Sequence, residues 1–222
     1  MGAFIQYWNA GIGKALGETL IMVLNSTILS VIFGGIMGVV LILTKSGGLK
    51  ENKVVYNILN FFVNIFRSFP FIVLVLFLMP LTIIIMRFFT GIGTSTGNTA
   101  VLVPLTVGAA PFIARIVENA LQEVPHGMIE ASKALGLSTT QIIFKVMIVE
   151  AVPALVSGLT LSVVSIIGFT ALAGAVGAGG LGELALTKGM FDYTLLVWTT
   201  IVLIVVVQLT QLLGNIIYKL IK

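Results

Sequence analysis

The sequence contains no cysteine and only one histidine. Without cysteine the chain can form neither a disulfide framework nor a thiolate metal site. His126 has no second histidine at H-x-x-x-H spacing and no cage of carboxylates, which argues against a metal centre and against histidine-based catalysis. We therefore expect no catalytic residue, no metal and no cofactor bound by this chain.

Charged residues are also scarce. Only 9% of the 222 residues are charged and 58% are hydrophobic, whereas soluble domains carry about 25% charged residues. So few charges cannot cover a soluble surface, and the composition predicts a polytopic membrane protein. The net charge of +4 comes without a basic cluster or aromatic interleaving, which argues against binding of nucleic acid.

No G-x-x-x-x-G-K-[ST] segment occurs, so the chain lacks the phosphate cradle needed to hydrolyse ATP. The segment Gly177–Gly182 satisfies G-x-G-x-x-G. However, the strand, helix and distal acidic residue of a dinucleotide site are absent around it. Energy for any active process must therefore come from outside this chain.

Five apolar runs are long enough to cross a bilayer, which takes about 20 residues per helix. They are Thr19–Leu43, Val54–Met86, Thr99–Val117, Val152–Leu172 and Leu195–Ile217. The second run has 33 residues and is interrupted at Arg67–Pro70, where proline bends a helix. It is therefore either one span with an interfacial lead-in or two spans. Met1–Gly17 has one lysine and no basic region, and we expect a retained first span rather than a cleaved signal peptide.

The distribution of lysine and arginine selects five spans. With five spans, one side carries the eight cationic residues Lys45, Lys50, Lys53, Arg115, Lys133, Lys145, Lys219 and Lys222. The other side has only Lys14, Arg87 and Lys188. Six spans would give five cations against seven and remove most of the asymmetry. The sequence therefore predicts one all-α domain over residues 1–222 in the cell membrane, with five transmembrane helices, the N-terminus outside and the C-terminus in the cytoplasm.

Small residues recur four apart in two of these runs, Gly34 with Gly38 and Gly158 with Ser162. This spacing lets the backbones of two helices approach closely. It is typical of packing within one chain, and it also suits an interface between subunits.

The longest polar stretch follows the third run and lies on the cytoplasmic side by the charge distribution. Pro125 can begin a helix there, and Gly136 is placed as a C-terminal cap. Ser138 and Gln141 form a capping-box pattern for the next helix. The spacing therefore predicts a short helix over about 127–136.

On this short helix Met128, Ala131 and Leu135 share one face, at i, i+3 and i+7. Glu130 and Lys133 can pair at i, i+3. A small apolar surface bordered by charge suits a groove on a partner protein. The same pattern fits an amphipathic helix that lies back on its own bundle, and the residues alone leave both interpretations open.

The segment Glu130–Ser132 (E-A-S), followed by Gly136, resembles the E-A-A-x-x-x-G loop of ABC importer permeases. It lies in the expected place, between two late spans on the cytoplasmic side. The flanking segments 103–121 and 173–182 are similar to those of the methionine-importer permeases, a branch with five spans. The resemblance covers most of the chain, from about 19 to 217.

The resemblance implies a type I ABC importer permease fold. In this family a homodimeric pore docks onto separate ATPase subunits, which use ATP and Mg²⁺, and an extracytoplasmic binding protein or lipoprotein delivers the substrate. The loop helix is then the element that seats in the ATPase, and the implied coupling residues are Glu130, Ala131, Ser132, Leu135 and Gly136. Two positions depart from the family pattern, because Ser132 replaces an alanine and Val149 stands where proline is often found.

The resemblance also implies an outer gate beside the translocation path. The residues that it assigns there are Leu172, Gly174, Gly177, Gly179 and Gly180. Irregular backbone in a membrane protein is tolerated only where it is buried in protein or lines a cavity. A plain flexible turn is the alternative interpretation.

Arg67 is the charge expected within the membrane, which makes it a functional candidate because such charges are costly. Snorkelling of its side chain to the cytoplasmic interface is the interpretation that we favour from the sequence. Arg115 and Glu118 are three apart at the end of a span, and we expect a structural ion pair between them.

Together these features predict the permease subunit of an ATP-driven methionine importer that works by alternating access through a homodimer. Another small amino acid or related solute is the alternative substrate. A stand-alone secondary transporter would need more ionisable groups in mid-span than Arg67. An intramembrane enzyme or assembly factor would need a nucleophile with a base, or a metal cluster, and the sequence offers neither.

Overall fold

Helices form most of the chain in a computed structural model that describes residues 2–222. Met1, the first residue of the predicted N-terminal segment, lies outside the described residues. The helices are α1 (Gly2–Tyr7), α2 (Gly13–Thr44), α3 (Lys53–Ser68), α4 (Phe71–Phe77), α5 (Met79–Thr90), α6 (Leu102–Gln122), α7 (His126–Ala134), α8 (Thr139–Gln141), α9 (Ile148–Ala173), α10 (Gly180–Leu186) and α11 (Tyr193–Ile221). Short π-helical turns join α1 to α2 and α8 to α9, and a 3₁₀ turn follows α9. The prediction of an all-α fold is confirmed.

Four helical stretches are long and apolar enough to cross a membrane, and each overlaps one of the predicted runs. They are Phe4–Thr44, Leu102–Gln122, Thr139–Val176 and Tyr193–Ile221. The first is kinked at Gly11, where φ is +152°, and the second begins three residues after the predicted Thr99. All four extend beyond the apolar run at one or both ends, because backbone hydrogen bonding continues into polar sequence until a cap stops it.

The second predicted run, Val54–Met86, is not one straight helix but the three helices α3, α4 and α5. Phe69 and Pro70 adopt extended backbone with ψ of 130° and 129°, since proline disfavours helical conformation in the residue before it. The chain bends by 109° there between α3 and α4. This bent pair supplies a fifth crossing if it counts as one span, so the span number of five stays a prediction.

Helices α2 and α6 approach so closely that two positions of α2 have no room for a side chain. A Cβ on Gly34 would lie 2.5 Å from the carbonyl oxygen of Ala110, and one on Gly38 would lie 2.6 Å from that of Ala114. Ser30 reinforces the contact by donating from Oγ to the carbonyl oxygen of Thr106 at 3.4 Å. The predicted small-residue face is therefore an internal packing surface.

The same close packing joins α9 to its neighbours. A Cβ on Gly158 would lie 2.3 Å from Cγ2 of Ile116 in α6, and one on Gly214 of α11 would lie 2.2 Å from Oγ1 of Thr160. Ser162 is fully buried and donates from Oγ to the carbonyl oxygen of Gly158 at 3.0 Å. Both glycine faces thus serve packing within the chain, one of the two interpretations that the sequence left open.

Helix α11 begins at a conventional side-chain cap. Asp192 accepts hydrogen bonds from the backbone N–H groups of Thr194 and Leu195 at 3.0 and 3.1 Å. The bond from Leu195 is the main cause that lowers the pKa of Asp192 below its usual value. The cap is therefore ionised at neutral pH and complements the positive end of the helix dipole.

We expect Gly38→Ala to destabilise the bundle, because its methyl group would overlap the backbone of α6. Overpacking of this kind costs about 1–3 kcal/mol. Gly35→Ala is the matched control, since a Cβ there meets nothing within 4 Å and alanine favours a helix by about 1 kcal/mol over glycine. Melting in detergent should show a lower Tm for Gly38→Ala alone. Equal Tm values for the two variants would contradict the close approach of α2 and α6.

Candidate functional site

The short helix predicted over 127–136 is α7, and local sequence signals fix both of its ends. Pro125 precedes the first residue of α7, and its carbonyl oxygen accepts from the N–H of Met128 at 3.0 Å. Gly136 follows the helix with φ of +79°, a left-handed conformation that glycine adopts without strain. The N–H of Leu137 then reaches back to the carbonyl oxygen of Ser132 at 3.1 Å, which closes the turn.

A second cap starts the next helix two residues later. Ser138 Oγ accepts from the N–H of Gln141 at 3.3 Å, and the Gln141 side chain accepts from the N–H of Ser138 at 2.8 Å. The capping box predicted from the sequence is confirmed. Because this cap opens the helical stretch Thr139–Val176, α7 is joined to a long helix by a short turn with defined hydrogen bonds.

One side of α7 packs on the bundle. Ser132 is 7% exposed and donates from Oγ to the carbonyl oxygen of Met128 at 2.7 Å. Ile129 and Leu137 pack against a buried cluster at this end of the bundle. The core of that cluster consists of Ile113, Val117, Ala120, Leu121, Val124, Ile142, Ile143, Met147 and Ala151. The helix therefore has a fixed orientation on the bundle.

The side of α7 adjacent to these bundle-facing residues is the apolar face predicted from the sequence, and it is exposed. Met128 is 38% exposed, Leu135 is 80% exposed, and Ala131 is exposed as well. An amphipathic helix that covered its own bundle would turn these three residues inward. The structure thus excludes the interpretation in which this apolar face covers the bundle, because the residues that face the bundle are Ile129 and Ser132.

The charged residues of α7 pair differently from the sequence expectation. Glu130 lies 3.9 Å from the imidazole of His126, with both side chains well exposed, rather than beside Lys133. Lys133 instead lines a cavity of about 250 Å³ together with Lys45 and His126. Two lysines and one histidine thus line the space between α7 and the turn after α2.

The glycine-rich segment predicted as an outer gate forms a packed corner at the other end of α9. A Cβ on Gly174 would lie 2.2 Å from the backbone nitrogen of Glu183. Gly177, Gly179 and Gly180 have φ of +77°, +85° and +76°, values that favour glycine. Leu172 is 48% exposed on the helix just before the corner. The structure brings four of the five predicted gate residues into this single turn.

Side chains from α2 and α10 satisfy the backbone of this corner. The N–H of Gly180 donates to Glu18 at 2.9 Å, and the N–H of Gly179 donates to Glu183 at 2.7 Å. The N–H of Leu181 donates to Thr19 at 2.9 Å. A plain flexible turn would not have partners for successive amides, so the corner is a defined element of the fold.

The predicted pair of Arg115 and Glu118 forms, and it belongs to a larger polar network. Arg115 donates from Nη1 to Glu118, which is almost fully buried, and from Nη2 to the side-chain oxygens of Asn60 and Asn64 at 2.6 and 2.9 Å. Tyr56 donates to Glu118 at 3.3 Å. The three partners on α3, Tyr56, Asn60 and Asn64, were not predicted from the sequence. The only signal for them is that asparagines recur at 57, 60 and 64, at helical spacing.

Arg67 lies at the bend between α3 and α4. Its guanidinium carbon is 6.0 Å from the ring centroid of Phe112, which is the middle residue of the 21-residue α6. None of the carboxylates of residues 4–222 lies within 4 Å of it.

A bundle of apolar helices that carries a short, exposed helix at one end defines a polytopic membrane protein. Residues 30–222 match the family described as the binding-protein-dependent transport system inner membrane component. The chain belongs to this family, and the resemblance inferred from 130–136 and its flanks is confirmed.

Relatives with known names are similar over nearly the whole chain. A probable D-methionine transport system permease protein MetI from Pasteurella multocida is 41% identical over 206 residues, 92% of each protein. The methionine import system permease protein MetP from Bacillus subtilis is 44% identical over 185 residues, 82% of this chain and 80% of that protein. A solved structure of the MetNI methionine ABC transporter in inward-facing conformations matches with a TM-score of 0.90 at 41% identity, covering 95% of this chain and 96% of that chain.

Loss of Arg115 should strongly destabilise the protein, because Glu118 is only 2% exposed and would keep a buried charge without a cation. Breaking such a pair costs about 3–5 kcal/mol. We expect Arg115→Met to lower the Tm in detergent by roughly 6 °C or more, and Arg115→Met with Glu118→Met to recover most of it. Arg87→Met, at an exposed arginine, is the control. If Arg115→Met had the same Tm as Arg87→Met, the ion pair of Arg115 with Glu118 would not stabilise the protein.

Proposed function

We propose that the chain is the membrane subunit of an ATP-driven methionine importer, and that α7 couples it to a separate ATPase. The exposed apolar face of Met128, Ala131 and Leu135 carries this proposal, because α7 packs on the bundle through Ile129 and Ser132 and leaves this face uncovered. Relatives that cover most of this chain are named as methionine permeases. ATP and Mg²⁺ would be used by the partner, since the sequence has no phosphate-binding loop.

The predicted coupling residues would have different tasks. Leu135 and Ala131 present apolar surface to the partner, and Glu130 offers an exposed carboxylate beside them. Ser132 faces the bundle, so it would transmit the position of α7 rather than contact the ATPase. Gly136 provides the left-handed turn that sets the direction of α7 relative to the following helix.

This assignment places α7 in the cytoplasm, with the N-terminus outside and the C-terminus inside, as the distribution of cationic residues favours. A second copy of the chain would complete the pore, and an extracytoplasmic binding protein or lipoprotein would deliver the substrate. Alternating access would be a two-state equilibrium of the bundle, biased by ATP at one end and by substrate at the other. The packed corner at Gly174–Gly180, with Leu172, would then gate the outer end.

Leu135→Glu should uncouple the transporter while the bundle stays folded. The side chain is 80% exposed in this chain, so the charge costs little before assembly and is buried without a partner afterwards. We expect copurification of the ATPase subunit and methionine uptake each to fall about tenfold or more.

Leu220→Glu is the matched control for that experiment. Leu220 is 81% exposed and lies in the last turn of α11, so the two variants differ in location rather than in exposure. Unchanged uptake in Leu135→Glu, or an equal loss in Leu220→Glu, would show that α7 is not the coupling element.

The substrate is tested separately. The complex of this chain with its ATPase and binding protein, reconstituted in liposomes, should accumulate labelled methionine in an ATP-dependent manner. Uptake should be lower for amino acids whose side chains are charged. A complex that hydrolyses ATP with its binding protein but transports another solute in preference to methionine would keep the coupling role and remove the methionine assignment.

A further inference from the structure

A cavity opens at the bend between α3 and α4, in a region that neither α7 nor the glycine corner occupies. Its volume is about 230 Å³. The cavity lies between α3, α4, α6 and α9, and the residues that characterise it are Arg67, Phe69, Phe71, Phe112, Ser165 and Phe169. One cation and one hydroxyl thus face a wall made mainly of aromatic rings.

Arg67 contributes a charge that the chain itself does not neutralise. Among residues 4–222 no carboxylate lies within 4 Å of it. Its guanidinium carbon lies 6.0 Å from the ring centroid of Phe112. Because Phe112 is the middle residue of α6, Arg67 lies at half the length of a helix that is long enough to span the membrane. A charge at that depth faces water or an anion rather than lipid.

The other walls suit the two remaining parts of an amino acid. Ser165 donates from Oγ to the carbonyl oxygen of Leu161 at 3.0 Å, so its lone pairs are left to accept from an ammonium group. The rings of Phe71 and Phe169 stack with centroids 4.5 Å apart, and aromatic rings make favourable contacts with a thioether sulfur. The interrupted backbone at Phe69 and Pro70 is of the kind that membrane proteins place beside a cavity.

We propose that this cavity is a substrate-binding site within the bundle, in which Arg67 binds the α-carboxylate of the transported amino acid. Ser165 accepts from the ammonium group, and the aromatic wall receives the apolar side chain. The inference rests on the proposed function of methionine import, and it adds a specificity for the carboxylate within the membrane subunit itself.

The absence of cysteine from the sequence makes the site directly testable. Ser165→Cys introduces the only thiol of this chain, and its reaction with a water-soluble maleimide reports access to the cavity. In the complex with the ATPase, methionine should slow this reaction, whereas methioninol, which has an alcohol in place of the carboxylate, should not. Ser157→Cys is the control, because it lies two turns earlier in α9 and lines a different cavity.

Arg67→Gln in the Ser165→Cys background should raise the methionine concentration for half-maximal protection by about tenfold or more, the loss expected for a hydrogen bond to a charged group. Arg67→Lys keeps the charge and should retain part of the protection. Equal protection by methionine and methioninol, or no change in Arg67→Gln, would overturn the site.

Uptake provides a second measurement that does not depend on the thiol. With saturating methionine-loaded binding protein, Arg67→Gln should lower the initial rate about tenfold, Arg67→Lys less, and Arg87→Gln not at all. Equal rates in Arg67→Gln and Arg87→Gln would also overturn the site. A wild-type complex that transports no methionine would instead refute the proposed function, so the two failures are distinguishable.

Discussion

At Gly34 and Gly38 the backbone of α2 meets the backbone of α6 with no side chain between them, and the other helices are arranged around that contact. Helix α6 packs on α2, α3 and α9. Its position therefore determines which side chains of these helices come into contact. It places Arg115 against the asparagines of α3 and Phe112 beside Arg67. It also ends close to α7, which therefore follows the most buried of the four long helices.

Two sets of polar groups in the bundle are paired with one another instead of being left to the apolar surroundings. Glu118 accepts from Arg115 and Tyr56, and the amides of the glycine corner donate to Glu18 and Glu183. Unsatisfied polar groups cost several kcal/mol in hydrocarbon, so both sets of contacts fix helix positions firmly. Arg67 has no carboxylate within 4 Å among residues 4–222 and lies beside the middle of α6, which makes its surroundings informative about function.

A single helical stretch connects the two ends of the molecule. The capping box at Ser138 begins the 38-residue stretch Thr139–Val176, which reaches the glycine corner. At 1.5 Å per residue this stretch is about 57 Å long. One end of the stretch lies next to α7, and the other end includes Leu172 and Gly174. Ser165 lies between the two ends. One helical stretch therefore joins α7 to the glycine corner and passes the cavity at Ser165.

Local signals in the sequence determined the all-α fold, the ends of α7 and the capping box, because caps, proline and glycine act within a few residues. Motif resemblance determined the family. Proline predicted an interruption at 67–70, but only the tertiary structure decided its 109° angle, the partners of Arg115 and the exposed face of α7. Asn60 and Asn64 lie 55 and 51 residues from Arg115, and no local pattern specifies such a pairing. Periodicity gives α7 an apolar face, but whether that face meets the bundle or a partner depends on how the surrounding helices pack.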